Sequence, residues 1–139
     1  GGSPGSGFRS WMDRLDYAND SANTSPKGPL SAANGYISAT GNASYGYFTG
    51  GSNPSRHSTV DRLDYSSDTT ACVAKGPLSA TTDRAAATGN LNYGYVGGGT
   101  NPDLSQITRI DYSNPCYNFN ILSYNNGLIP ICTSSIHIF

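Results

Sequence analysis

The residues best equipped for chemistry recur. Arg14, Asp16 and Tyr17 return as Arg62, Asp64 and Tyr65, and again as Arg109, Asp111 and Tyr112. A carboxylate beside a guanidinium and a phenol could do acid–base work in a cleft. A feature present in every copy of a repeat serves the scaffold, however, whereas an active site breaks the symmetry and occurs once. Arg and Asp two residues apart on a strand share a face, and the reading here is a repeated ladder of ion pairs. No catalytic residue is assigned on this ground. The two histidines, His57 and His137, are unrelated by the repeat. Serine is plentiful, but no nucleophile elbow surrounds any copy of it. Gly97-Gly98-Gly99 lacks the Lys-Ser/Thr and the helix of a phosphate loop. Cys72, Cys116 and Cys132 are not spaced as metal ligands. A Cys116–Cys132 bridge is one alternative in an oxidising compartment, and three unpaired small apolar side chains are the other. No cofactor and no metal is expected.

What differs between copies is the better guide to binding, because loops on a rigid scaffold carry recognition. The loop 52–57 corresponds to 100–106, and Asn34-Gly35-Tyr36 is replaced by Thr82-Asp83-Arg84. Arg56, His57, Tyr36 and Arg84 are therefore the candidate binding residues. Tyr45 and Tyr47 share a strand face, as do Tyr93 and Tyr95. Such stripes pack between sheets or stack on sugar rings, and packing is the first reading. Phe8, Trp11 and Met12 stand where the next copy has smaller residues, which suits capping of an open end as well as binding. Asn19, Asn23 and Asn42 lie in Asn-x-Ser/Thr sequons and are the glycosylation candidates, against chance occurrence in an Asn- and Ser-rich chain.

The elements that must position these groups follow from internal repetition. Asp13-Arg14-Leu15-Asp16-Tyr17 matches 61–65, the Lys-Gly-Pro-Leu-Ser-Ala of 27–32 matches 75–80, and Ala-Thr-Gly-Asn of 39–42 matches 87–90. Tyr45-Gly46-Tyr47, the glycine pair at 50–51 and Asn53-Pro54 also return, so the period is about 48 residues. The third Arg-x-Asp-Tyr arrives one residue early. Each repeat holds four strand-sized pieces, exemplified by 83–88, 93–97, 58–65 and 71–74, separated by Gly, Asn and Gly-Pro turn chemistry. Period-2 alternation without extended helical periodicity makes the chain all-β. Charged residues are 12% and the formal net charge is −1, so no basic surface exists for nucleic acid. Nothing reads as a membrane span or a signal peptide.

A small-apolar strand, an aromatic strand ending in Gly-Gly, a variable loop and a Val-x-x-x-Asp-Tyr strand at this period resemble the kelch repeat. The segments GPLSA, ATGN, YGY and DRLDYS are also similar in style to kelch-like repeats of marine phage structural and tail-fibre proteins. The resemblance covers residues 1–114, divided 1–60, 61–107 and a partial 108–114. It implies four-stranded antiparallel blades of the β-propeller type, about two and a half to three of them. One departure is Cys72, near the place where the kelch pattern carries Trp. Kelch-type propellers also resemble copper radical oxidases, which need several His and Tyr ligands that two histidines do not supply. Residues 115–139 leave the pattern and read either as extra strands around an Asn125-Asn126-Gly127 turn, or as a divergent or frame-shifted end.

Blades bury their faces only against neighbours, and closure takes typically about four to eight of them. Self-association into a ring or an open filament is therefore expected, with a fragment of a longer propeller as the third possibility. The functional expectation is a non-enzymatic structural or adhesion protein, part of an extracellular fibre or phage tail-fibre-like assembly, extracellular or virion-associated. A glycan- or protein-binding propeller module is the alternative, with surface glycans as its other partner class. A carbohydrate oxidase or glycosidase fragment is the remote third.

Overall fold

The computed structural model describes residues 7–100, 105–113 and 118–120. Within them the protein is all-β, in three antiparallel sheets. The first is a two-stranded sheet of β1 (Asp13–Arg14) and β2 (Ser25–Pro26). The second runs β3 (Ser38–Gly41), β4 (Tyr45–Thr49), β5 (Val60–Asp64) and β6 (Val73–Lys75) in that order. The third pairs β7 (Ala86–Gly89), β8 (Tyr93–Gly97), β9 (Ile107–Asp111) and β10 (Asn118–Asn120) in the same way.

Register repeats with sequence. Tyr45 opposes Asp64 as Tyr93 opposes Asp111, and Gly46 opposes Leu63 as Gly94 opposes Ile110. Burial alternates along β8 and β9, and the turns come from Asn. Asn42 Oδ1 accepts the N–H groups of Ser44 and Tyr45 at 2.8 and 2.9 Å, and Asn90 does the same for Asn92 and Tyr93 at 2.9 Å each. These side-chain-to-backbone bonds are local to each hairpin and need no tertiary contact. β10 lies outside the repeat pattern yet pairs with β9, Phe119 opposite Arg109. The remainder of 115–139, including Cys116, Cys132 and His137, lies outside the described residues.

The expected Arg–Asp ladder is not what the strands build. Asp16, Asp64 and Asp111 turn back on the chain. Each accepts a backbone N–H two residues on, from Ala18, Ser66 and Ser113 at 3.0, 2.9 and 3.0 Å. The first two thereby cap 3-10 turns at Tyr17–Asn19 and Tyr65–Ser67. The Ser66 hydroxyl and N–H hold the Asp64 carboxyl below its ordinary range. The arginines reach across to the neighbouring strand instead. Arg62 lies 4.5 Å over the Tyr45 ring and Arg109 lies 4.7 Å over that of Tyr93. Arg14 pairs with Asp68 at 2.6 Å.

The second and third sheets pack face to face, with β3 against β7 and β8. Tyr47, 1% exposed, stacks on Tyr112 with ring centres 4.8 Å apart and planes 18° from parallel. Thr40 donates its single hydroxyl proton to the Thr88 carbonyl at 3.0 Å. The 2.8 Å contact of Thr40 Oγ1 with the Tyr112 hydroxyl is therefore donated by the tyrosine. Val60, Leu78, Val96 and Ile110 complete this core. Gly94 leaves space for the Tyr112 ring: a Cβ there would come within 2.6 Å of both the Tyr112 hydroxyl and Thr40 Cγ2. The tyrosine pair Tyr45/Tyr47 is thus used for packing between sheets.

The two-stranded sheet docks on the second through polar contacts. Asp68 receives both Arg14 and Lys27, at 2.6 and 3.3 Å. Asp61, buried, accepts the Ser31 N–H at 2.9 Å. One repeat later the same place holds a neutral pair, Ser79 Oγ and Thr108 Oγ1 at 2.8 Å. The Leu30 N–H bonds to Ser10 O at 2.8 Å, and its counterpart Leu78 bonds to Ser58 O at 2.7 Å.

Candidate functional site

The loops between strands meet at equivalent places in successive repeats. Arg9 bridges Asn34 as His57 bridges Thr82, and Gly35 bridges Ser52 as Asp83 bridges Thr100. Tyr36 and Arg84 then occupy one conformation, both with φ of 55°, a left-handed geometry that non-glycine residues rarely adopt. The Arg84 N–H donates to the Tyr36 carbonyl at 3.0 Å, tying one copy to the next.

On this common frame the side chains have been exchanged as a set. In the first copy Phe8 meets Tyr36 edge-on, with ring centres 5.5 Å apart at 75°. Gly35 lies between them, and a Cβ there would run into the Phe8 ring. In the second copy Arg56 stands in the place of Phe8, Asp83 in that of Gly35 and Arg84 in that of Tyr36. Removing the phenyl ring makes room for a carboxylate, and the carboxylate holds the two guanidiniums that replaced the aromatics.

Asp83 is the anchor. Its side chain is 5% exposed, with Oδ1 accepting from Arg56 Nε at 3.3 Å and Oδ2 lying 3.5 Å from Arg84 Nη1. Oδ1 also accepts the Thr100 hydroxyl. The Thr100 bond first, then the Arg56 bond and the charges of Arg84 and Arg56, hold the Asp83 carboxyl below its ordinary range against the opposing effect of burial. Pairing and hydrogen bonding of this kind offset the cost of burying the carboxylate. The Arg84 guanidinium also lies 4.2 Å over the Tyr36 ring. Both arginine side chains stay about half exposed, at 42% and 53%. They form one wall of a cleft of about 530 Å³ lined also by Ser52, Pro54, Ser55, Thr81 and Asp83.

Of the four residues singled out from sequence, the fold brings Tyr36, Arg56 and Arg84 together. His57 is set apart from the cleft lining. Its N–H donates to Gly51 O at 2.8 Å, and Nε2 lies 3.3 Å from the Asn53 carbonyl. Asp83 and Thr100, which organise the site, were not singled out. Their signal was the exchange of glycine for aspartate at position 83, inside a segment already marked as varying between copies. A second hollow of about 530 Å³ forms beside Trp11, Met12 and Lys27, with Trp11 69% exposed and Arg9 5.2 Å over its ring. Phe8 packs edge-on against Tyr36.

The other reactive groups are engaged elsewhere. Cys72 is a buried free thiol 3.9 Å from Met12 Sδ, and burial, with the Asp61 charge, pushes it up to about 11. Asn19 and Asn23 are exposed, whereas Asn42 is half-buried with its side chain committed to its turn. Among the described residues no group of three or more His, Cys, Asp or Glu could hold a metal ion. Compared with known proteins, the sequence matches no protein-family model and no curated protein sequence.

Proposed function

We propose that this chain is a non-enzymatic structural or adhesion scaffold whose sheets are propeller-type blades of kelch character, extended by self-association into a ring or a filament. The observation that carries the reading is the contact between the second and third sheets. It is made by residues at repeat positions, Tyr47 on Tyr112 with Thr40 between. An interface written into the repeat can be used again between copies, because each further sheet presents the same faces. Tyr65 and Tyr17 are the earlier counterparts of Tyr112, and they are 48% and 90% exposed. The recurrent Arg and Asp groups support the non-enzymatic side of the reading, since their polar atoms are spent on capping turns and covering tyrosines. An extracellular or virion-associated setting, in a fibre or tail-fibre-like assembly, suits so weakly charged a surface. The test is native mass spectrometry with negative-stain electron microscopy at micromolar concentration. Discrete rings or regular fibres support the scaffold, and a strict monomer overturns it.

The second reading is a binding module for glycans or proteins, and one observation favours it. The cleft beside Asp83 is the place where the second repeat departs from the first by three coupled side chains. The first copy holds the same backbone without charge, so charge is what the second copy adds.

A further inference from the structure

We propose that the Asp83 cleft binds the carboxylate of an acidic saccharide of the hexuronate type, with Arg56 and Arg84 as its partners and Asp83 as the residue that positions both. This rests on the binding-module reading and is independent of self-association.

The frame does not require charge here. The same backbone, with the same positive φ, is satisfied in the first copy by Phe8, Gly35 and Tyr36. Among the described residues, two arginines and one aspartate leave the cleft a formal charge of +1, which an anionic ligand would balance. Asp83 engages Arg56 through Nε and Arg84 through Nη1. Both Nη groups of Arg56, and Nε and Nη2 of Arg84, make no hydrogen bond among the described residues. Guanidiniums fixed along one edge present the other to a planar carboxylate, the geometry Arg meets bidentately. Stacking on Tyr36 at 4.2 Å keeps the Arg84 plane in place.

The rest of the lining selects the kind of acid. Among the described lining residues Ser52 and Ser55 carry hydroxyls and Pro54 is the one apolar side chain, a lining that offers little to the apolar flanks of an acidic peptide. A sugar ring offers hydroxyls to hydroxyls and needs no apolar pocket. The volume of about 530 Å³ falls within the range of small-molecule sites.

The experiment titrates the full chain with a hexuronate disaccharide by calorimetry at low salt. The corresponding neutral disaccharide, tetraglutamate and inorganic phosphate serve as competing probes. Saturable hexuronate binding is expected, with the neutral sugar at least roughly tenfold weaker. Arg56→Gln and Arg84→Gln should each weaken it by roughly tenfold, and Asp83→Asn should weaken it by releasing both guanidiniums from the carboxylate that holds them. The decisive variant is the triple exchange Arg56→Phe, Asp83→Gly and Arg84→Tyr, which installs the first copy's set. It should retain the parent circular dichroism and thermal midpoint and lose hexuronate binding. Equal binding of the neutral sugar, tighter binding of tetraglutamate or phosphate, or undiminished binding by the triple variant would each overturn the proposal. A monomer that binds hexuronate would sink the assembly reading alone. A ring or fibre that does not bind would sink the cleft alone.

Discussion

The stack between sheets can be tested with an internal control. Tyr65 and Tyr112 are repeat counterparts, and each covers a glycine of its own sheet, Gly46 and Gly94. Tyr112 alone of the two has Tyr47 stacked on it and is 6% exposed, whereas Tyr65 is 48% exposed. Truncating Tyr112 to Ala should cost about 3–5 kcal/mol, the usual range for removing a buried aromatic ring. Of this, about 0.5–1.5 kcal/mol belongs to the ring pair itself. Tyr65→Ala leaves much less area to lose and should cost about 1–2 kcal/mol. Tyr112→Phe keeps the ring and removes the hydrogen bond to Thr40, for about 1 kcal/mol. Equilibrium urea unfolding followed by circular dichroism reads all three. The double variant with Tyr47→Ala should be less destabilised than the sum of its parts by at least ~0.5 kcal/mol, because the pair is lost once. Equal costs for Tyr112→Ala and Tyr65→Ala, or strict additivity with Tyr47→Ala, would refute inter-sheet stacking as the source of cohesion.

Other consequences follow from single sites. The Cys72 thiol is raised in the fold, so its contribution is complete below its ordinary value of 9.0 and declines as pH rises toward about 11. That loss should reach about 2 kcal/mol and vanish in Cys72→Ala, as read by urea unfolding between pH 7 and 11. Asp83 is lowered, so its contribution is present above the ordinary carboxyl value of 3.8 and is lost as pH falls below it. Thermal unfolding of Asp83→Asn between pH 3 and 7 should show a flatter acid limb than the parent. A Cβ at Gly28 would overlap the Thr70 carbonyl, whereas at Gly97 it meets only Ile107 Cγ1 at 3.3 Å among close contacts. Gly28→Ala should therefore cost about 3 kcal/mol or more and Gly97→Ala less than about 1, measured by thermal midpoint.

Local structure was legible where side chains decide it locally. The alternating Tyr93–Gly97 strand and the Asn42 and Asn90 turns carry their instruction within a few residues, whereas the alternation expected over Val60 to Asp64 is not realised, since Val60 and Asp61 are both buried. The expected piece at 83–88 begins later, at Ala86, because Asp83 and Arg84 are taken by the bridge to Thr100 and by a left-handed turn. The Arg–Asp ladder failed for a physical reason. Arg62 and Asp64 do lie two apart on β5, but Asp64 ends the strand, where the N–H of Ser66 is nearer than any guanidinium. Arg62 is left with the Tyr45 ring on the adjacent strand, a partner that same-strand spacing does not reveal.

The cleft was half legible, and the missing half explains how such sites are read. Arg56 and Arg84 stood out as charges appearing in one copy only, but their meeting depends on two loops joined through different sheets. Asp83 reads in sequence as the first residue of the strand-sized piece 83–88, and its role shows only beside its counterpart Gly35, where a Cβ would run into the Phe8 ring. The exchanges depend on one another: a Cβ at position 35 would run into the Phe8 ring, and Asp83 is the carboxylate that holds both arginines. The backbone frame accepts either set, with the shared positive φ of 55° at Tyr36 and Arg84, so the charge of the second copy is a property of its side chains alone.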